Sequence, residues 1–190
     1  MKIGLFGGSF NPIHFGHVRL ARHLLAQAGL DEVWFVVSPQ NPLKQQHDLL
    51  DDEVRLEMVE AALRREKNMK ASDVEFRLPK PSYTWNTLEM LGKECPDDEF
   101  VLLIGGDNWE RFHLWHRAEE IQKKFSIVVY PRAGSTIDPQ SLPPTVHIVH
   151  TPLINISSTM VRERIREGRS ISRLVPKPVA DIIRERGLYL

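Results

Sequence analysis

Cysteine is nearly absent from this chain: Cys95 is the single one. That excludes an internal disulfide framework and suits a reducing compartment. A charge excess is missing too. Lys plus Arg number 25, Asp plus Glu number 25, and the formal net charge is zero. General binders of nucleic acid or of anionic membranes carry a basic excess, so neither partner is expected. A small anionic ligand needs only a local basic site. No apolar run is long enough to cross a bilayer. The apolar run at the N-terminus is too short for a signal peptide and ends in Gly7-Gly8-Ser9, so a cytoplasmic location is expected. Repeats, linkers and low-complexity segments are also lacking, and the length fits one domain over residues 1–190.

What the chain does have is concentrated in its first residues. Ile3 to Phe6 is a short apolar run bounded by glycine, which reads as a buried strand. Gly7-Gly8-Ser9-Phe10-Asn11-Pro12-Ile13-His14-Phe15-Gly16-His17 follows. Val18, Ala21, Leu24, Leu25 and Ala28 then recur at helical spacing, and Gly29 closes the series. A strand, a glycine-bearing loop and a helix N-terminus make an anion site, because free backbone N–H groups and the helix dipole face the loop. His14 and His17 stand three apart at the helix start and can share one face. They can donate hydrogen bonds to phosphoryl oxygens. The helix dipole lowers their pKa and a bound polyphosphate raises it, and the sequence leaves that balance open. The loop is neither a Walker A motif nor a G-x-G-x-x-G fingerprint.

Further strands are predicted over 32–37, 71–76, 100–104, 125–130 and 146–149. Ser38 to Gln45 forms a loop after the second strand, with Lys44 as its cation, a phosphate-contact candidate. Asp51-Asp52 can cap a helix, and Ser82 or Thr84 can cap another that runs to Gly92. Gly105-Gly106-Asp107 makes a glycine turn after the fourth strand. His113 and His116 lack a third ligand at a recognisable spacing, so no protein-bound metal is expected. Asn155 to Arg162 opens a helix with hydroxyls that can cap it or meet phosphate, and Arg162 on its first turn can reach a phosphate bidentately. Strands alternating with helices predict an α/β fold: a Rossmann-like, doubly wound, mostly parallel sheet with helices on both faces. The candidate residues fall after strands one, two, four and six, at the sheet edge where such folds bind ligands.

These blocks together resemble the bacterial nicotinate-nucleotide adenylyltransferase family of the nucleotidylyltransferase superfamily. The resemblance rests on Gly8 to His17, Asn41-Pro42-Leu43-Lys44, Ser82-Tyr83-Thr84 with Thr87-Leu88, Gly105-Gly106-Asp107 with Leu114-Trp115-His116, and Ile156-Ser157-Ser158-Thr159 with Arg162. Asn11 and Asn86 stand where the family more often has Asp. The resemblance implies ATP and nicotinate mononucleotide as substrates, magnesium accompanying ATP, and deamido-NAD and pyrophosphate as products. It implies that His14, His17, Lys44 and Arg162 serve catalysis. Gly8, Ser9, Phe10, Gly105, Asp107, Ile156, Ser158 and Thr159 would bind ATP. Ser82, Tyr83, Thr84 and Trp115 would bind the acceptor. A homo-oligomer is left open. The rival readings are an adenylyltransferase for another phosphorylated acceptor such as phosphopantetheine, which lacks the Ser-Tyr-Thr and Trp-His blocks, and a non-catalytic nucleotide-binding regulator.

Overall fold

The computed structural model describes residues 1–40 and 47–190. Lys44 and the rest of its Asn41–Lys44 block lie outside the described residues. Six strands form one sheet: β1 (Lys2–Gly8), β2 (Glu32–Val37), β3 (Met69–Ser72), β4 (Glu99–Gly105), β5 (Ser126–Tyr130) and β6 (Val146–Ile148). Their order is β3-β2-β1-β4-β5-β6, and every pair is parallel. The strand order reverses between β1 and β4, so the crevice at their C-terminal ends is the ligand-binding place of a doubly wound sheet. No helix among the described residues is long and apolar enough to cross a membrane.

Successive strand residues point to opposite faces, and both faces are covered. Phe6, Phe35, Val101 and Leu103 pack on one side with residues of α1 (Phe15–Gln27), α2 (Asp52–Leu63) and α7 (Lys177–Arg186). Leu5, Val36, Leu102 and Ile104 pack on the other with Leu88 and Leu91 of α3 (Thr84–Glu94) and Ile121 of α5 (Ala118–Lys124). Two short connections complete the set: α4 (Gly106–Glu110) and α6 (Ser158–Arg166).

Several local expectations are corrected. The third strand covers Met69–Ser72 rather than 71–76, and Val74–Arg77 form a 3₁₀ turn. The reason is packing. Val74 joins the core on one sheet face while Phe76 packs against the other, and residues two apart in a strand cannot do that. Asp51 precedes α2 without a side-chain cap, and Tyr83 does the same at α3. One candidate of each pair is engaged elsewhere: Asp52 Oδ1 accepts from Arg55 and from the Gln40 backbone, and Ser82 Oγ donates to Glu75. Gly105 and Gly106 open α4 instead of making a free turn. Arg162 is the fifth residue of α6, not part of its first turn.

One buried charge joins the sheet's C-terminal loops. Arg55 has no exposed surface. Its Nη1 donates to the Ser9 carbonyl at 2.7 Å and the Ser38 carbonyl at 2.8 Å. Its Nε donates to the Leu50 carbonyl at 2.9 Å, and its Nη2 meets Asp52 at 2.5 Å. The loop after β1, the loop after β2 and the start of α2 are thus fixed to one guanidinium. Removing one side of such a buried network strands the other: Arg55→Met should cost about 3–5 kcal/mol of folding free energy. Urea denaturation checks this; a loss below about 1 kcal/mol would show that the three carbonyls find other donors.

Candidate active site

β1 continues through both glycines, with Gly8 paired to Val37, before the chain turns. Phe10 takes a left-handed φ of 48° and buries its ring against Phe6, Phe35 and His17. This anchors the loop from inside. His14 then stands extended as the N-cap of α1. Gly16 is required for space: a Cβ there would lie 2.4 Å from Ile154 and 2.8 Å from the His14 ring. The loop is anchored from outside by α6. Ser158 Oγ donates to the Pro12 carbonyl at 2.9 Å, and Arg162 Nη1 to the Asn11 carbonyl at 2.8 Å.

The Asn11 side chain uses its amide character. Its Nδ2 donates to the Asp48 carbonyl at 2.9 Å, while its Oδ1 accepts from Tyr189 Oη at 2.7 Å. An Asp could accept the tyrosine but could not donate to the carbonyl. The departure from the commoner residue therefore has a local partner.

The two imidazoles stack, with ring centroids 3.7 Å apart and planes inclined by 22°. His17 Nδ1 accepts the backbone N–H of His14 at 3.1 Å. That bond uses the Nδ1 lone pair, so the neutral His17 ring carries its proton on Nε2 and offers it as a donor. Burial pushes His14 down to about 4, and Arg132 adds to the shift. Burial likewise holds His17 well below its ordinary value, reinforced by His14 and then Arg132. The balance left open by the sequence thus falls toward neutral rings in the free protein, with burial as the leading cause. Among the described residues His14 Nδ1 is buried without a partner.

Two cavities of about 270 Å³ each open at this edge. The first is bordered by Gly8, Ser9 and Phe10, by His14 and His17, and across from them by Ile156, Ser157 and Ser158. Asp107 and Arg132 form its far wall. Two helix N-termini, those of α1 and α6, therefore border one space, a setting for phosphate. Ser157 Oγ caps α6 by accepting the Met160 N–H at 3.1 Å. The second cavity holds Thr84, Thr87, Glu75 and Trp115. Gly7, Gly8, Asn108 and Tyr130 line both, so the spaces adjoin. A Cβ on Gly7 would meet nothing within 4 Å, so any side chain there would project into open space at this junction.

Not every expected residue reaches a cavity wall. Gly105 lies behind the first, where its missing Cβ lets Arg132 pass; a Cβ would come within 2.7 Å of it. Thr159 Oγ1 accepts from Arg162 Nη2 at 3.3 Å, and the Arg162 Nε is buried with no partner among the described residues. Ser82 is turned onto Glu75. Tyr83 is exposed and packs on His116, ring centroids 4.5 Å apart. Among the described residues no three His, Cys, Asp or Glu side chains form a metal-binding group.

The sequence reading missed Arg132, Tyr130, Asn108 and Glu75. Arg132 Nε stands 3.6 Å from Asp107 Oδ1, both about half exposed, so the pair contributes little stability but places a cation on the wall. It follows β5, whose end carries no glycine-rich signal. Tyr130 is buried and its phenol is pushed up to about 12 by loss of solvent.

The histidine geometry has a measurable consequence. Both folded-state pKa values lie below the ordinary value near 6.5, so the unfolded chain binds more protons as pH falls. Stability from the pair should be complete above about pH 6.5 and decline as pH falls toward 4. In ¹⁵N-resolved histidine spectra His14 should protonate near pH 4, and His17 well below the ordinary imidazole range. Titration of either ring between pH 6 and 7 in the free protein would contradict this environment.

Residues 5–164 match the family model described as cytidylyltransferase-like. A Bacteroides fragilis (strain YCH46) protein bearing the name "Probable nicotinate-nucleotide adenylyltransferase" is 49% identical over 170 residues, 90% of this chain and 85% of the relative. A Bacteroides thetaiotaomicron protein of the same name is 45% identical over 97% of this chain and 92% of its own length. Among solved structures, a Plasmodium falciparum nicotinic acid mononucleotide adenylyltransferase complexed with NaAD superposes with a TM-score of 0.83. At 20% identity, over 99% of this chain and 97% of that one, it supports the fold alone. With a family model across most of its length and relatives sharing nearly half its residues, the chain belongs to the nicotinate-nucleotide adenylyltransferase family within the cytidylyltransferase-like group.

Proposed function

We propose that this protein transfers the adenylyl group of ATP to nicotinate mononucleotide, releasing pyrophosphate and forming deamido-NAD. The observation that carries the reading is the pair of adjoining cavities, one bordered by two helix N-termini and the stacked histidines, the other by Thr84 and Trp115. ATP would occupy the first and the pyridine ring the second, so that the two phosphates meet where Gly7 and Gly8 separate them.

The acceptor phosphate oxygen attacks the α-phosphorus in line. The new P–O bond forms as the bond to the β-phosphate oxygen breaks, and pyrophosphate leaves with that electron pair. No protein nucleophile is needed. Catalysis is then positioning and stabilisation of spreading negative charge. His17, with its Nδ1 engaged, presents Nε2–H to a phosphoryl oxygen. His14, Ser158 and the backbone N–H groups at the starts of α1 and α6 supply further donors. Arg162 offsets charge on the leaving phosphates, joined by Lys44 from outside the described residues. Asp107, the carboxylate on the first cavity wall, already faces Arg132. Magnesium would accompany ATP as part of the substrate, a hard cation suited to phosphate oxygens and water.

Three outcomes are expected. His17→Ala should lower kcat by roughly 10²-fold or more while weakening ATP binding far less, because the lost donor acts on charge that develops in the transition state. Near-normal kcat would remove His17 from the reaction. In a pyrophosphate-release assay with a panel of acceptors, nicotinate mononucleotide should exceed nicotinamide mononucleotide in kcat/KM by at least ~10²-fold. An amide in place of the ring carboxylate leaves buried donors and acceptors mispaired, at about 1–3 kcal/mol or more. Trp115→Ala should harm acceptor use more than ATP use. Turnover only with phosphopantetheine, or nucleotide binding without turnover, would overturn the reading.

A further inference from the structure

Glu75 was not among the expected site residues, yet it is only 8% exposed and lines the second cavity beside Thr84, Thr87 and Trp115. Its two oxygens are fixed. Thr87 Oγ1 donates to Oε1 at 3.0 Å, and Ser82 Oγ donates to Oε2 at 3.1 Å. Among the described residues the groups that face it are neutral: Thr87 from α3, Ser82 from the loop before α3, and Ser38 after β2. Arg77, on the same 3₁₀ turn, is turned away to a two-point pair with Glu94 at 2.6 and 3.2 Å. Among the described residues, then, a buried carboxylate borders a ligand cavity held by hydroxyls and without a cation.

A carboxylate buried without a countercharge is costly unless something supplies that charge. Burial accordingly raises Glu75 above the ordinary carboxylate range, against three hydroxyls that lower it. The acceptor assigned to this cavity brings a ring with a fixed positive charge at its nitrogen.

We propose that Glu75 is a specificity-determining residue whose carboxylate, oriented by Ser82 and Thr87, is the countercharge for the cationic pyridinium ring of the acceptor. The inference rests on the acceptor reading given above. It also explains why Ser82 fails to cap α3: its hydroxyl orients Glu75 instead. The ring is then read twice, by the face of Trp115 and by Glu75. An acceptor with a neutral head would leave the carboxylate buried and unpaired.

The sign of the pH dependence follows. The cationic ring binds the ionised carboxylate, so acceptor affinity should fall as pH drops through the raised Glu75 pKa. The acceptor's own phosphate also titrates, near 6, but does so identically with every enzyme variant. The test is steady-state kinetics with MgATP and nicotinate mononucleotide from pH 5 to 8, for the wild-type protein, Glu75→Gln and Glu75→Asp. Glu75→Gln keeps hydrogen bonding to the hydroxyls but loses the charge. It should raise the acceptor KM roughly 30-fold or more at pH 8, leave the ATP KM within about twofold, and flatten the acid-side rise of acceptor KM. Glu75→Asp should recover part of the loss. A second probe needs no variant: the 1,4-dihydro form of nicotinate mononucleotide, whose ring nitrogen is neutral, should bind the wild type at least ~10-fold more weakly than the oxidised form. Equal binding of the two forms would overturn the role, as would an acceptor KM profile unchanged in Glu75→Gln. So would an acceptor KM that improves at low pH, because a protonated Glu75 would then be donating to the ring carboxylate. If the wild type forms no deamido-NAD at any pH, the acceptor reading itself falls, and this inference with it.

Discussion

The guanidinium of Arg55 is the constraint on which both halves of the site depend. A fully buried cation survives only when acceptors surround it, and here Nε and Nη1 donate to the backbone of three separate segments while Nη2 meets Asp52. Ser9 borders the first cavity and Ser38 the second. One charge thus sets the distance between the walls of two adjoining spaces. It also holds Ser38 and Leu50, which flank the segment carrying Lys44. The arrangement favours one geometry strongly, because any displacement of these loops leaves carbonyls and a charge unsatisfied in a dry interior.

A parallel sheet covered on both faces leaves its C-terminal edge as the place for polar chemistry. At that edge, beside the cation of Arg132, the chain gathers donors that carry little or no formal charge. The stacked imidazoles are neutral, and the starts of α1 and α6 offer backbone N–H groups. Such donors suit a polyanion whose charge must redistribute during transfer, since they hold phosphoryl oxygens firmly without binding the ground state through full ion pairs. The bond from the His14 N–H to His17 Nδ1 does two tasks. It starts α1, and it fixes which nitrogen of His17 carries the proton.

The second cavity shows the opposite economy of charge. Among the described residues its carboxylate, Glu75, is held by hydroxyls alone, and Thr84 and Trp115 also line the wall. Ser82 therefore acts on a side chain of the preceding turn rather than on the helix end, while the Thr87 hydroxyl lies between Glu75 and the Tyr83 carbonyl. The same trade appears at Asp52, which faces Arg55 and Gln40 instead of capping α2.

Sequence alone determined the alternation of strands and helices, the loop from Gly8 to His17, and the gathering of its candidate residues after the strands. Those features are local: a period of 3.6 or 2, a glycine bound, a hydroxyl at a helix start. It also placed His14, His17, Ser158, Thr84 and Trp115 at the proper edge, because a parallel sheet sends every such loop to the same side. Only the tertiary structure decided that Arg132, Tyr130 and Glu75 border the cavities, that Tyr83 turns outward to His116, and that Val74 and Phe76 bend away from the third strand. Nothing near Arg55 in sequence marks it as buried; its acceptors lie 5, 46 and 17 residues away, apart from Asp52. These outcomes depend on which distant surfaces meet and on where water is excluded. A single chain's local pattern carries neither quantity, whereas the packed fold fixes both.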